Sequence, residues 1–184
     1  MNRLIERADI VDYQTYEDQR DEVRSHVLEL KQPRRIHLGD NLTFLFENRE
    51  TLGYQVQEIM RAEKIARESA IVDEIETYNK MLGEPGELGC ALLIEIPDAD
   101  DRKPLLKAWL GLQEHIYVTF ADGSREYASF DPMQVGDDRL SAVQYLRFAC
   151  ATPPVAIGTD FPALTDEVEL TSEQKAALAA DLAR

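Results

Sequence analysis

Residues 35–67 read RIHLGDNLTFLFENRETLGYQVQEIMRAEKIAR, and the reading of this stretch sets the fold class. Two β-prone runs, Arg35–Leu38 and Leu42–Glu47, flank Gly39-Asp40-Asn41. Gly, Asp and Asn accept the backbone dihedrals of a tight turn, so the two runs are expected to pair as a hairpin. The apolar period then changes from two to 3.6. Leu52, Val56, Ile59 and Met60 share one face of a helix expected from about Glu50 to Arg67. A hairpin followed by an amphipathic helix, with no strict βαβ alternation, predicts an α+β fold. The sheet is expected to be largely antiparallel, with helices packed against it.

The flanking sequence extends this pattern. Upstream, Tyr16, Val23, Val27 and Leu30 make a helical stripe that Pro33 ends, and Thr15 with Asp18 resembles a cap. Downstream, Ser69 can cap a helix carrying Ile71, Ile75, Tyr78 and Leu82, which Gly83 can end. After the irregular loop Gly83–Gly89, the run Cys90–Ile96 reads as a buried strand. Pro104 suits the first turn of a helix through Leu112. Asp122-Gly123 between His115–Ala121 and Ser124–Phe130 signals a second hairpin. Ser141–Cys150 and Val155–Gly158 read as further strands, and Thr171 with Gln174 forms a capping box for a closing helix. Residues 1–184 are expected to form a single α+β domain. Its N-terminal helix (about 15–32) and C-terminal helix (about 171–183) are expected as appendages.

Composition narrows the function classes. The chain of 184 residues has 20 basic and 35 acidic side chains, a net charge of −15. Nucleic-acid binders gain affinity when Lys and Arg release counterions, so this charge argues against a nucleic-acid partner and against anionic lipid. The acid excess is concentrated: residues 67–101 hold 2 basic and 10 acidic groups. The dense basic cluster Lys31, Arg34, Arg35 is small. No apolar run is long enough to span a bilayer. The segment Met1–Ile10 lacks the apolar core of a signal peptide, so a cytoplasmic location is expected. Cys90 and Cys150 lack CxxC spacing and are expected as buried apolar side chains.

No nucleotide-binding, zincin, hydrolase or calcium-loop motif is present, and no catalytic motif is recognisable. His26, His37 and His115 have no second His or Cys at ligand spacing. His37, Glu47 and His115 could form a metal site only if neighbouring strands brought them together; no metal is assigned.

Candidate binding residues come from two places. On a helix starting at Glu50, Tyr54, Glu58 and Arg61 fall within about 60° of one another, opposite the Leu52/Val56/Ile59 stripe. Gln55 and Thr51 flank that face, and Arg49 precedes it. The trio is either a solvated face with an ordinary Glu58–Arg61 pair, or a face covered by another layer or a partner. The second place is Val143–Phe148, where Gln144, Leu146 and Phe148 share one strand face and Tyr145 and Arg147 the other. A guanidinium on a central strand must find a carboxylate, backbone carbonyls or a bound anion. Glu47 and Glu95 are the candidate carboxylates.

The run Arg34-Arg35…Leu38-Gly39…Leu42-Thr43…Leu45–Arg49…Thr51…Tyr54-Gln55…Gln57-Glu58…Arg61…Glu63 resembles the bacterial domain-of-unknown-function family 3501, and Ser141–Phe148 is similar to its second signature. The resemblance covers essentially the whole chain and carries no activity. It implies a redox or oxidative-stress setting, beside rubrerythrin-like and iron–sulfur proteins. With two cysteines the chain cannot itself ligate an ordinary cluster.

Three readings follow. The chain is an accessory protein that docks on a redox partner through the Arg49–Arg61 helix face and residues near Arg147. Alternatively it is an enzyme for a small anionic or polar substrate. Arg49, Arg61 and Arg147 would then hold the anion, and Tyr54 and Glu58 would move protons. A third reading is a homodimer joined across Tyr54, Glu58 and Arg61. The cofactor is left open. Arg147 discriminates, because an anion site needs its guanidinium free.

Overall fold

The first hairpin forms as its sequence directs. Strands β1 (Arg35–Leu38) and β2 (Leu42–Glu47) pair antiparallel, with Ile36 opposite Phe44 and Leu38 opposite Leu42. Gly39 takes φ +56° in the turn, a conformation that costs glycine little. In the computed structural model, which describes residues 3–183, these strands begin a four-stranded sheet of order β1-β2-β3-β6. Its other members are β3 (Glu87–Ile94) and β6 (Val143–Ala149). A second four-stranded sheet, of order β5-β4-β7-β8, comprises β4 (Ile116–Thr119), β5 (Arg125–Tyr127), β7 (Ala156–Thr159) and β8 (Asp166–Glu169). Every strand pair is antiparallel, and the fold is α+β.

The strands are thus divided between two sheets rather than gathered in one. Strand β8 is missing from the sequence reading because Asp166–Glu169 is mostly polar and exposed, so no apolar alternation marks it. One core lies between the sheets. Phe44, Phe46, Leu92, Leu146 and Phe148 from the first join Ile116, Val118 and Ile157 from the second. At the edges, β1 runs beside β8, and Ser129 just after β5 bridges to Arg147 on β6. Strand β6 is therefore the last strand of its sheet, not a central one.

The other face of the first sheet is covered by helices, which is why every residue of β2 is buried. Helix α2 (Arg49–Glu63) and helix α3 (Glu68–Asn79) carry Leu52, Val56, Met60, Ile71 and Ile75 into a second apolar cluster with Ile5, Ile10 and Leu82. Helix α1 (Tyr13–Lys31) lies along α2. Asp12, not Thr15, caps α1, accepting from the Gln14 and Thr15 N–H groups. Asn48 caps α2 in a reciprocal box with Thr51. That helix stops at Lys64, which turns to φ +53°, rather than at Arg67. Ser69 falls inside α3, whose cap position is Arg67.

Helix α4 (Ala99–Ala108) starts earlier than its proline suggests. The Asp98 side chain captures the Asp100 N–H, leaving Pro104 in the helix interior. Helix α5 (Ser172–Leu182) opens on the Thr171/Gln174 capping box and buries Leu178 and Asp181. Among the described residues no helix is long and apolar enough to cross a membrane.

Candidate functional site

The α2 face that carries Tyr54, Glu58 and Arg61 is covered by α1 of the same chain. Tyr16 and Arg20, one turn apart on α1, both reach Glu58. Tyr16 Oη donates to Glu58 Oε1 at 2.6 Å, and Arg20 donates through Nε at 2.8 Å and Nη2 at 3.0 Å. Arg61 lies 3.5 Å from Glu58 and 3.5 Å from Glu17. Burial would raise the Glu58 carboxyl, but the Arg20 and Tyr16 hydrogen bonds and the two guanidinium charges hold it below the usual carboxylate range. Burial and the Glu58 carboxylate together push the Tyr16 phenol up. A carboxylate with its proton affinity lowered and its oxygens engaged is a poor general base.

The other candidates near α2 are also engaged. Lys31 Nζ sits 5.5 Å from the Tyr54 ring centroid. Gln55 Nε2 donates to Glu47 Oε1 at 2.9 Å. Arg49 forks onto Asp9, with Nη2 2.6 Å from Oδ2. Glu47 belongs to a buried polar seam. Arg34 donates to Asp181 at 2.7 and 2.9 Å, and Asn48 donates to Asp181 at 3.1 Å. The sequence showed no sign of this pairing, because Arg34 and Asp181 are 147 positions apart.

Arg147 stands apart from this network. It projects from β6 on the face opposite the buried Gln144, Leu146 and Phe148. The expected salt bridge to Glu47 or Glu95 does not form: Glu47 accepts from Gln55, and Glu95 accepts from Thr43. Among the described residues the Arg147 guanidinium has no ion pair and no hydrogen bond; only its backbone is paired, to Ser129. Gln144 is fully buried, and its Nε2 donates to the Ser141 carbonyl at 2.8 Å. It cannot share a ligand with Arg147 across the strand.

Two open clefts meet at Arg147. One, of about 720 Å³, is lined by the cations Arg3, Lys80 and Arg147, the carboxylates Glu76 and Glu84, and Leu4, Asn79, Gly83 and Pro85. The other, of about 540 Å³, is walled by Met81, Phe130, Pro132, Tyr145, Lys80 and Arg147, with Asp131 as its carboxylate. Gly83 adopts φ +71°, and the position of a β-carbon there would be 2.8 Å from Glu87 Oε2 and 3.5 Å from Arg147 Cδ. The glycine thus lets the loop pass close beside the arginine. Arg3 is fastened by its Nη2, which donates to the carbonyls of Leu82 (2.6 Å) and Glu87. Sequence reading missed Arg3 and Lys80. Lys80 had a local signal, a lysine three residues before Gly83, although α3 itself stops at Asn79; Arg3 had none, since its contacts lie about 80 positions away.

The structure does not bring Arg49, Arg61 and Arg147 together on one anion, since each has a separate neighbourhood. Nor does it gather His37, Glu47 and His115. His37 pairs with Thr43 in the first sheet, and His115 with Asp160 beside the second. Among the described residues no group of three metal-ligating side chains converges. Cys90 and Cys150 are buried and unbridged. Burial pushes the Cys90 thiol well above its usual value and the Cys150 thiol up to about 12.

No curated protein matches the chain. A crystal structure of a novel protein of unknown function from Burkholderia pseudomallei K96243 has a similar fold. It superposes with a TM-score of 0.89 at 25% sequence identity, over 96% of this chain and 98% of that one. The sequence profile of the protein family of unknown function DUF3501 matches residues 4–182. With nearly its whole length matched, the chain belongs to the DUF3501 family.

Proposed function

We propose that this protein is an accessory binding protein for a small anionic ligand, held at the clefts around Arg147. The observation that carries the reading is the half-buried Arg147 guanidinium, which has no protein acceptor among the described residues. Five N–H donors held near a cleft are a strong anion-recognition group, above all for phosphate or carboxylate oxygens. Lys80 and Arg3 add positive charge to the same cleft. The net charge of −15 repels anions at a distance, but salt screens that repulsion beyond about 8 Å. Capture then rests on the local cations.

The enzyme reading has less support. Its proposed base, Glu58, is neutralised by Arg20 and Tyr16 within the fold. The homodimer face Tyr54/Glu58/Arg61 is occupied by α1. The redox setting implied by the family resemblance supplies context for the ligand or for a partner. Burial pushes both of the chain's own thiols up, which disfavours the reactive thiolate form.

Isothermal titration with inorganic phosphate tests the proposal. Wild type is expected to bind at millimolar concentration, and Arg147→Gln to bind at least about tenfold more weakly, a loss of about 1.4 kcal/mol. Because Arg147 makes no ion pair among the described residues, the variant should melt like wild type. Absence of phosphate binding, or equal binding by the variant, rejects the anion site.

A further inference from the structure

The two clefts share Lys80 and Arg147 but differ in aromatic lining: Phe130 and Tyr145 wall one, and no aromatic ring walls the other. On the Arg3 side the walls are Leu4, Asn79, Lys80, the Gly83–Pro85 loop, and the carboxylates Glu76 and Glu84. On the other side Met81, Phe130, Pro132, Tyr145 and Leu146 form the walls together with the polar Thr77, Asp131 and Gln134. Tyr145 is 43% exposed, large for an aromatic side chain on a strand beside a cleft. Phe130 packs its inner side on the core between the sheets.

Tyr145 and Arg147 point the same way from β6, two residues and about 7 Å apart along the strand. That is roughly the span from an anionic head to the far edge of a ring bonded to it. The strand is held firmly at this place. Gln134 donates to the Tyr145 carbonyl at 2.8 Å and accepts from its N–H at 2.7 Å, while Ser129 pairs with the Arg147 backbone. The free edge of β6 is thereby closed to another strand, so a peptide cannot add to the sheet here. What remains open is the side-chain surface, with a cation next to an aromatic wall.

We infer that this composite site takes an organic anion: an anionic head on Arg147 and Lys80, joined to a flat apolar ring that lies against Tyr145, Phe130 and Met81. The inference rests on the anion-binding reading above and adds the class of ligand body. Charge placement gives the ligand a direction. Asp131 is the carboxylate of the cleft lined by Phe130 and Tyr145, and its side chain is turned to the Met133 N–H at 2.9 Å. It repels an anionic head from that end and leaves the ring there. Glu76 and Glu84 line the cleft on the Arg3 side, so a head larger than one anionic group is disfavoured beyond Arg147.

Titration of the full chain with inorganic phosphate and with phenyl phosphate distinguishes the two levels of the proposal. Phenyl phosphate is expected to bind about tenfold more tightly than phosphate. Arg147→Gln should weaken both alike. Tyr145→Ala should bring the ratio of the two affinities down toward one, with an unchanged melting temperature confirming the fold. If phosphate binds and phenyl phosphate binds no better, the organic-anion inference fails while the anion site stands. A tighter phenyl phosphate whose advantage survives Tyr145→Ala likewise overturns the placement of the ring. If neither compound binds, both levels fail.

Discussion

Glu47 shows how one buried residue sets a pH response. It ends β2 at 6% exposure, with Gln55 on Oε1 and no hydrogen bond on Oε2. Burial raises its carboxyl, outweighing the Lys31 and Arg34 charges and the Gln55 hydrogen bond that pull it down. The sign follows from linkage. Between the unfolded and folded values the native state holds the proton more tightly, so stability falls as pH rises through that window. Glu47→Gln removes this titration. The stability of the variant relative to wild type is expected to increase as pH is raised from about 5 to about 8, measured by urea unfolding. A pH-independent difference would mean that the fold does not raise the Glu47 carboxyl. Arg147 is the opposite case at this scale. Its type and position were legible from strand alternation, but its lack of a partner was not, because that depends on where Glu47 and Glu95 finally point.

Helices α1 and α2 are joined by a polar contact more than by apolar burial. Tyr16 and Val27 are the buried residues of α1, and Glu58 is the group that ties its first half to α2. Glu58→Gln is expected to cost about 2 kcal/mol at pH 7, the scale of charge-assisted hydrogen bonds at a partly buried site. Because the folded Glu58 carboxyl is held below its ordinary value, this contribution is present above the unfolded value and lost as pH falls through the folded one. Denaturant melts of both proteins at pH 7 and about pH 3 check this: the gap should narrow at the lower pH. A gap that stays constant would show that the loss is one of packing. The face was visible in the sequence, since Tyr54, Glu58 and Arg61 share it by helical spacing. Its cover was not. Tyr16 and Arg20 sit at i,i+4 and so share a face of α1, but spacing within one helix does not say which other helix that face meets.

For the molecule as a whole, the Arg34–Asp181 pair is the main polar tie. Both side chains are about 5% exposed, and the pair links the residues after α1 to α5, with Asn48 at the corner between β2 and α2. Asp181→Ala leaves a buried guanidinium unpaired and is expected to cost about 3–5 kcal/mol. Replacing both partners, Arg34→Met with Asp181→Leu, should cost much less than that, because no charge is then stranded. Equilibrium unfolding of the single and double variants measures it; a double variant as damaged as the single would assign the loss to shape rather than charge.

At each of these scales the boundary of what sequence determines is the same. Short-range physics was readable: turn residues between β-prone runs placed both hairpins, and apolar periodicity placed α2 and α3. The Thr171/Gln174 box marked the start of α5, and the two-residue alternation of β6 separated Arg147 from Gln144. Net charge and the absence of motifs narrowed the function classes. Tertiary structure decided the rest. It divided the strands into two sheets, made β6 an edge, covered Glu58 with α1, and set Arg3 and Lys80 beside an Arg147 side chain with no partner among the described residues. Local preferences arise among neighbours a few residues apart, whereas the partner of a charged side chain is chosen by burial and hydrogen bonding across tens of positions. One sequence carries no record of those distances until it folds.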